Sequence, residues 1–464
     1  MHMPPPAQPS LWRRYLIWPF FLWVLVWGTV NTGPWRLPNA VSTMDFVHGF
    51  RAYAVFAAAF FALNYLLRNA YARHLAFKGG NGLLLFYGVV GLMASLFISR
   101  RPESAVYWGG VFVACLLVPA ALAAPGDWAL RARDFLRLNW LAVLIIAGVI
   151  VFLGADVLFG SEIKWDDPTH FRAMEPAGMA GVADMAMPRS TGAGRYTGLF
   201  AVVALAGIWN GRFWEKPFWG IIFVMFSLAT LLYHGRGAAA GFIGGCVAVL
   251  AFSGSTNRRT LALLGLVALP LVLFPDILEW LIAYMQRGTR DAEEFLTFTG
   301  RTRDWAVGWD VFTTSPIFGV GFWADRIYIP RGAHFHNSFV HALVTSGITG
   351  FIPFVMAWVW AWIRFLKIQK VRHLMPKAEN RALAEVGGVL TFLTLRSFPE
   401  STGAFFGVDL FIFVPILIYL QVIGDRYLAP AGRIVAPMAA PVTGAPWGAP
   451  AQNRPGVAAR APAR

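Results

Sequence analysis

The residues best suited to chemistry gather in one polar interval between strongly apolar segments. It reads Thr299-Gly300-Arg301, then Trp305, then Pro316-Ile317-Phe318-Gly319-Val320-Gly321, and ends in His336-Asn337-Ser338. Cations, glycine turns and an imidazole in one segment beside a membrane suit a lipid-linked, negatively charged substrate. His336 leads into Asn337-Ser338 and the apolar Phe339-Val340. Asn and Ser are favoured N-caps, so a helix is expected to start here. The positive end of that helix and the nearby arginines disfavour an imidazolium at His336. A neutral ring can take a proton from a hydroxyl group, as a general base must. The bland alternative is a loop histidine bonded to backbone. His334 and His341 compete for the role, one just upstream in the loop and one over a turn into the helix.

The companion groups are arginines. Arg236, in His234-Gly235-Arg236-Gly237, sits at a membrane boundary with glycines that let a ligand approach the backbone. Arg195, in Gly194-Arg195-Tyr196, and Arg301 are similar candidates. A guanidinium binds phosphate oxygens in a bidentate fork and stays charged; ordinary interfacial anchoring is the competing account. Arg303, like Arg189, Arg287 and Arg290, is explained as well by solvated pairing with Asp291, Glu293, Glu294 or Asp304. Arg51 falls about a turn inside an apolar run, where a charge is a functional hypothesis unless it snorkels out. Glu400, in Phe398-Pro399-Glu400-Ser401, is placed to orient an arginine or the histidine, with Asn337 in support. Arg100-Arg101 are expected to draw lipid phosphates. Asp166-Asp167, beside Lys164, reads as solvated loop charge rather than a divalent-metal site.

These residues need a membrane scaffold. The 464-residue chain is 57% hydrophobic and only 14% charged, against roughly 25% charged in soluble domains. Repeated apolar runs then predict an all-α polytopic integral membrane protein with about twelve transmembrane helices. They fall near 15–32, 46–67, 82–99, 104–124, 139–160, 197–210, 217–234, 237–254, 260–284, 341–364, 383–399 and 404–425. The run Tyr15–Val30 behind Arg13-Arg14 resembles a signal sequence, yet lacks a clear small-x-small cleavage site and is expected to persist as the first helix. Cys115 and Cys246 sit inside apolar runs, which argues against a disulfide or a thiolate metal site.

The net charge of +15 reflects the positive-inside rule rather than nucleic-acid binding, because the excess Lys and Arg lie in alternate short loops. That distribution predicts cytoplasmic termini. The opposite face carries long periplasmic loops at about 161–196 and 285–340. Leu296, Trp305, Val307, Trp309 and Phe312 form an apolar stripe expected on the membrane surface, with Arg301, Arg303 and Asp304 off it. Residues 1–428 thus form the transmembrane catalytic domain, and 429–464, rich in Pro, Ala, Gly and Arg, read as a disordered cytoplasmic tail. No Walker loop or His-Glu-x-x-His helix is present.

Together the motifs resemble the O-antigen ligase and polymerase superfamily of bacterial inner-membrane glycosyltransferases. The matching pieces are Arg195 before a span, Gly235-Arg236-Gly237, Thr299-Gly300-Arg301 with Trp305, Pro316–Gly321, His336-Asn337-Ser338 and Gly347-Ile348-Thr349-Gly350. Members often have Ser where this chain has Gly235. The resemblance implies a GT-C-like fold in a Gram-negative inner membrane. It also implies an undecaprenyl-pyrophosphate-linked O-antigen donor, a lipid A-core acceptor, a periplasmic active site, inversion at the anomeric carbon, and no cofactor, ATP or metal. On that reading Arg195, Arg236 and Arg301 hold the pyrophosphate, and His336 activates or positions the acceptor hydroxyl. An O-antigen polymerase or a protein O-oligosaccharyltransferase shares the motif order. A transporter would instead show broken-helix repeats and buried mid-membrane acids.

Overall fold

The computed structural model describes residues 46–123, 128–153, 190–233, 235–253, 301–329 and 334–428. In chain order the main helices are α1 (Phe46–Arg68), α2 (Ala70–Phe77), α3 (Gly79–Phe97), α4 (Pro102–Ala123) and α5 (Trp128–Leu153). Then follow α6 (Ser190–Asn210), α7 (Lys216–Leu232), α8 (Arg236–Phe252), α9 (Arg301–Thr314) and α10 (Ala324–Tyr328). The series ends in α11 (Ser338–Lys370), α12 (Lys377–Ser397) and α13 (Val408–Tyr427). Among the described residues 6 helices are long and apolar enough to cross a membrane, and there is no strand. The described residues are all-helical, and the chain is a multi-pass membrane protein. The spans expected near 15–32 and 260–284, and residues 429–464, lie outside the described residues.

Several boundaries move. The span expected to begin near 139 starts at Trp128 as α5, so Arg131, Arg133 and Arg137 belong to a helix rather than a loop. Backbone hydrogen bonds extend a helix beyond its apolar stretch wherever the aqueous end tolerates charge. For the same reason Arg195 lies in the first turns of α6, not ahead of a span. Helix α12 carries Glu379, Arg381, Glu385 and Arg396, too many charges for a lipid-facing span. It is buried in the bundle, where Arg381 bonds Glu385 at 2.9 Å and Trp140 donates to Glu385 at 3.1 Å. Of the 6 spans among the described residues, α13 is the most buried, at 94%.

The described part of the polar interval is folded. Val311, Phe312, Val320, Ala324, Ile329, Phe335 and Val344 form a small core of their own. This corrects the expected stripe on α9: Val311 and Phe312 face inward, while Trp309 is 59% exposed. Leu296 lies outside the described residues.

A break in α11 seats this subdomain. Gly347 has φ +58°, which interrupts the helical ladder and frees the carbonyls of Val344 and Thr345. Val320 N–H donates to Val344 O at 2.9 Å and Gly321 N–H to Thr345 O at 3.0 Å. In return, Ile348 and Thr349 donate to Pro316 O and Ile317 O at 2.9 and 3.1 Å. A Cβ on Gly347 would lie 2.3 Å from Ile317 O. The two glycine motifs therefore bind each other, and their glycines serve backbone contact rather than a ligand. Phe322 follows into the bundle beneath Tyr87 and Phe112, and its N–H donates to Ser95 Oγ at 2.8 Å.

Candidate active site

The triplet His336-Asn337-Ser338 docks onto the turn between α12 and α13. Asn337 is the N-cap of α11, accepting from Phe339 N–H at 2.8 Å and Val340 N–H at 3.0 Å, as the sequence predicts. Its amide also donates to Phe398 O at 3.0 Å. Ser338 Oγ lies 2.9 Å from Glu400 O and 3.0 Å from Thr402 O. These bonds fix the turn that presents Glu400. Glu400 Oε2 then lies 3.1 Å from His336 Nδ1, while its Oε1 accepts from Arg301 Nη2 at 3.0 Å. Arg301 also donates to Pro399 O. One carboxylate thus joins the two groups that the sequence singles out.

Burial opposes the charge on Glu400. The His336 hydrogen bond and the Arg396 and Arg301 charges outweigh it and lower the carboxyl to about 2. Glu400 is therefore ionised throughout the neutral range. His336 has φ +50°, a sparsely populated conformation for a residue with a side chain, and such strain clusters at functional sites. Among the described residues no group bonds its Nε2.

Arg236 opens α8. A Cβ added at the next residue, Gly237, would lie 3.1 Å from Pro399 Cγ and 4.0 Å from Glu400 Cγ. The α8 backbone thus packs directly on the Glu400 turn, and His234 lies outside the described residues. Arg195 is displaced toward a neighbouring network: Nη1 is 3.6 Å from Asp409 Oδ1, and the guanidinium covers Tyr196 at 4.9 Å. Asp409 Oδ2 accepts from Arg396 Nη1 at 2.6 Å. Arg195 and Arg396 both act electrostatically on Glu400, so the two networks abut.

Arg303 is exposed on α9. Arg51 belongs to α1, with its side chain outside the described residues, as are Arg189, Arg287, Arg290 and Asp166-Asp167. Arg100 lies over the Tyr328 ring at 4.9 Å. His341 is 1% exposed, enclosed by Phe335 and Phe405, which removes it as a base. His334 instead meets Asp325, Nδ1 to Oδ2, at 2.5 Å.

Sequence reasoning passed over Arg396 and Asp409. A usable signal was present: each lies inside a predicted span, with opposite sign, near the same connecting turn. Paired intramembrane charges are functional by default.

The arrangement supplies an imidazole backed by a carboxylate, flanked by guanidinium groups that suit phosphate oxygens. Residues 221–355 match the O-antigen ligase family. The match, and with it the similarity, is confined to that region. The matched region includes Arg236, Arg301 and His336, whereas Arg195 and Glu400 fall outside it. The chain is also 32% identical over 119 residues to the exopolysaccharide production protein ExoQ of Rhizobium meliloti (strain 1021), covering 22% of this chain. The chain thus spans about a quarter of that curated relative, 26% of its length. The matched region includes the His336 imidazole and Arg301; the Glu400 turn that joins them comes from beyond it.

Proposed function

We propose that this protein moves O-antigen polysaccharide from undecaprenyl pyrophosphate to a sugar hydroxyl of lipid A-core, at the periplasmic face of a Gram-negative inner membrane. The observation that carries this reading is the joining of His336 and Arg301 through Glu400. The acceptor oxygen attacks the anomeric carbon as the bond from that carbon to the pyrophosphate oxygen breaks, with inversion. The hydroxyl proton passes to His336 Nε2, and Glu400 steadies the imidazolium formed. Arg301, Arg236 and Arg195 bind the pyrophosphate and stabilise its departing charge. The leaving group supplies the driving force, so the reaction calls for neither ATP nor metal.

A second reading is supported by the similarity to the exopolysaccharide production protein. In it the same site acts as a polymerase, with another lipid-linked glycan as acceptor. Deleting the gene in its host separates the two. A ligase deletion leaves long chains on the carrier lipid and core without polysaccharide. Single repeats on the core indicate the polymerase, and unchanged lipopolysaccharide rejects both. For the metal, strong inhibition by EDTA restored by Mg²⁺ contradicts the mechanism.

A further inference from the structure

The interval holds a second group of side chains that neither the pyrophosphate clamp nor the base employs. Its marker is Trp323, with φ +66°; among the described non-glycine residues, Trp323 and His336 are the two with positive φ. A bulky residue in that region persists only where the surroundings hold it there. Its indole stacks on Trp108 of α4, with centroids 5.2 Å apart and planes within 4°. Both indoles are half-buried.

Polar groups border this pair. The Arg326 guanidinium lies 5.7 Å from the Trp323 centroid and is exposed. Arg326 Nη2 is 2.8 Å from His334 Nε2. A guanidinium can only donate, so Nε2 accepts and the Nδ1 proton points at Asp325. Asp325, 3% exposed, thereby locks the ring. The His334 ring meets that of His336 edge to face at 5.9 Å. Contacts run unbroken from Trp108 through Trp323, Arg326 and His334 to His336.

The chemistry of this group differs from that of the Arg301 side. Arg326 is balanced by Asp325, so the group offers little net attraction to a phosphate. It combines aromatic surface with fixed donors and acceptors, which matches a pyranose: an apolar C–H face bounded by hydroxyls.

We propose that Trp108, Trp323, Arg326 and the Asp325–His334 pair form the subsite that holds the acceptor sugar and turns its hydroxyl toward His336. This rests on the glycosyltransferase reading above and adds to it the acceptor's place.

The test uses the full-length protein in nanodiscs and deacylated lipopolysaccharide core oligosaccharide as probe, with calorimetric binding and transfer kinetics. Trp323→Gly removes the ring and relieves the backbone, so the melting temperature should hold or rise. Affinity for the oligosaccharide should fall about tenfold, and the acceptor KM should rise in step. Donor KM and kcat should stay within about twofold. Trp108→Leu should act likewise, and Trp323→Tyr should recover most of the affinity. Wild-type protein that does not bind the oligosaccharide overturns the proposal. So do unchanged affinity in both variants, a loss of affinity that tracks a lower melting temperature, and a rise in donor KM alone. Binding through the indoles without transfer to core rejects the ligase reading and keeps the subsite; transfer to core unaffected by both substitutions does the reverse.

Discussion

Two regions of the molecule contain the same three chemical groups, histidine, carboxylate and arginine, in different settings. One is His336–Glu400–Arg301. The other is His74–Asp425–Arg364, where His74 Nε2 lies 3.1 Å from Asp425 Oδ2 and Arg364 Nη2 is 2.6 Å from Oδ1. The second is a staple between regular helices. Gln421 also donates to both oxygens of Asp425, at 2.8 and 2.9 Å, and its Nε2 lies 3.2 Å from His74 Nε2. The His74 ring stacks on Tyr71 at 5.8 Å. The first set lies at a helix start and a turn, its histidine held through Nδ1 in a left-handed backbone. Asp409 and Asp425 mark the two ends of α13, about 24 Å apart at a helical rise. The difference teaches that residue type does not assign the role. Which ring nitrogen is engaged, and whether the backbone is regular, does.

The sharpest way to break this comparison is to remove each histidine. His336→Ala should lower transfer by about 10²–10⁴-fold while donor binding and membrane insertion persist; His74→Ala should leave transfer within about twofold. Substantial activity in purified His336→Ala protein rejects His336 as base. The carboxylates come next. Glu400→Gln should cut kcat about 100-fold by releasing both His336 and Arg301, whereas Asp425→Asn should lower the melting temperature and spare kcat. Equal kcat losses in the two variants would make both sets structural.

The break in α11 has a smaller expected effect, on stability. Gly347→Ala places a side chain at φ +58° against Ile317 O and should cost about 2–3 kcal/mol, read in thermal unfolding. The effect confined to the narrowest range, acid pH alone, follows from the lowered Glu400 carboxyl. Its folded value, about 2, lies below the ordinary 4.5, so its stabilisation is fully present above pH 4.5 and disappears as pH falls through 2. Between pH 7 and 5 the stability of wild type and of Glu400→Gln should therefore show the same pH dependence. Only the wild type should lose stability, on the order of 3 kcal/mol, between pH 4.5 and 2.

The membrane class was legible in composition and run length, because lipid admits only long apolar helices at this scale. The N-cap at Asn337 was legible because capping is local, and His336, Arg301 and Arg236 stood out as candidates because charge chemistry is local too. Helix starts at Trp128 and Ser190 were less so, since a hydrogen-bonded ladder does not stop where hydropathy does. The inward face of α9 was misread because its apolar positions give no sign of which of them meet Phe335 and Val344.

The sequence by itself determined an inventory: apolar spans, a capped helix at Ser338, and a few cations and one imidazole at a polar interval. Only the tertiary structure decided that Glu400, 64 residues from His336 and 99 from Arg301, binds both, and that the glycines of Pro316–Gly321 clasp a broken helix. Hydrogen bonds across such separations depend on how the helices pack, and packing is set by the whole set of contacts rather than by any local run of residues.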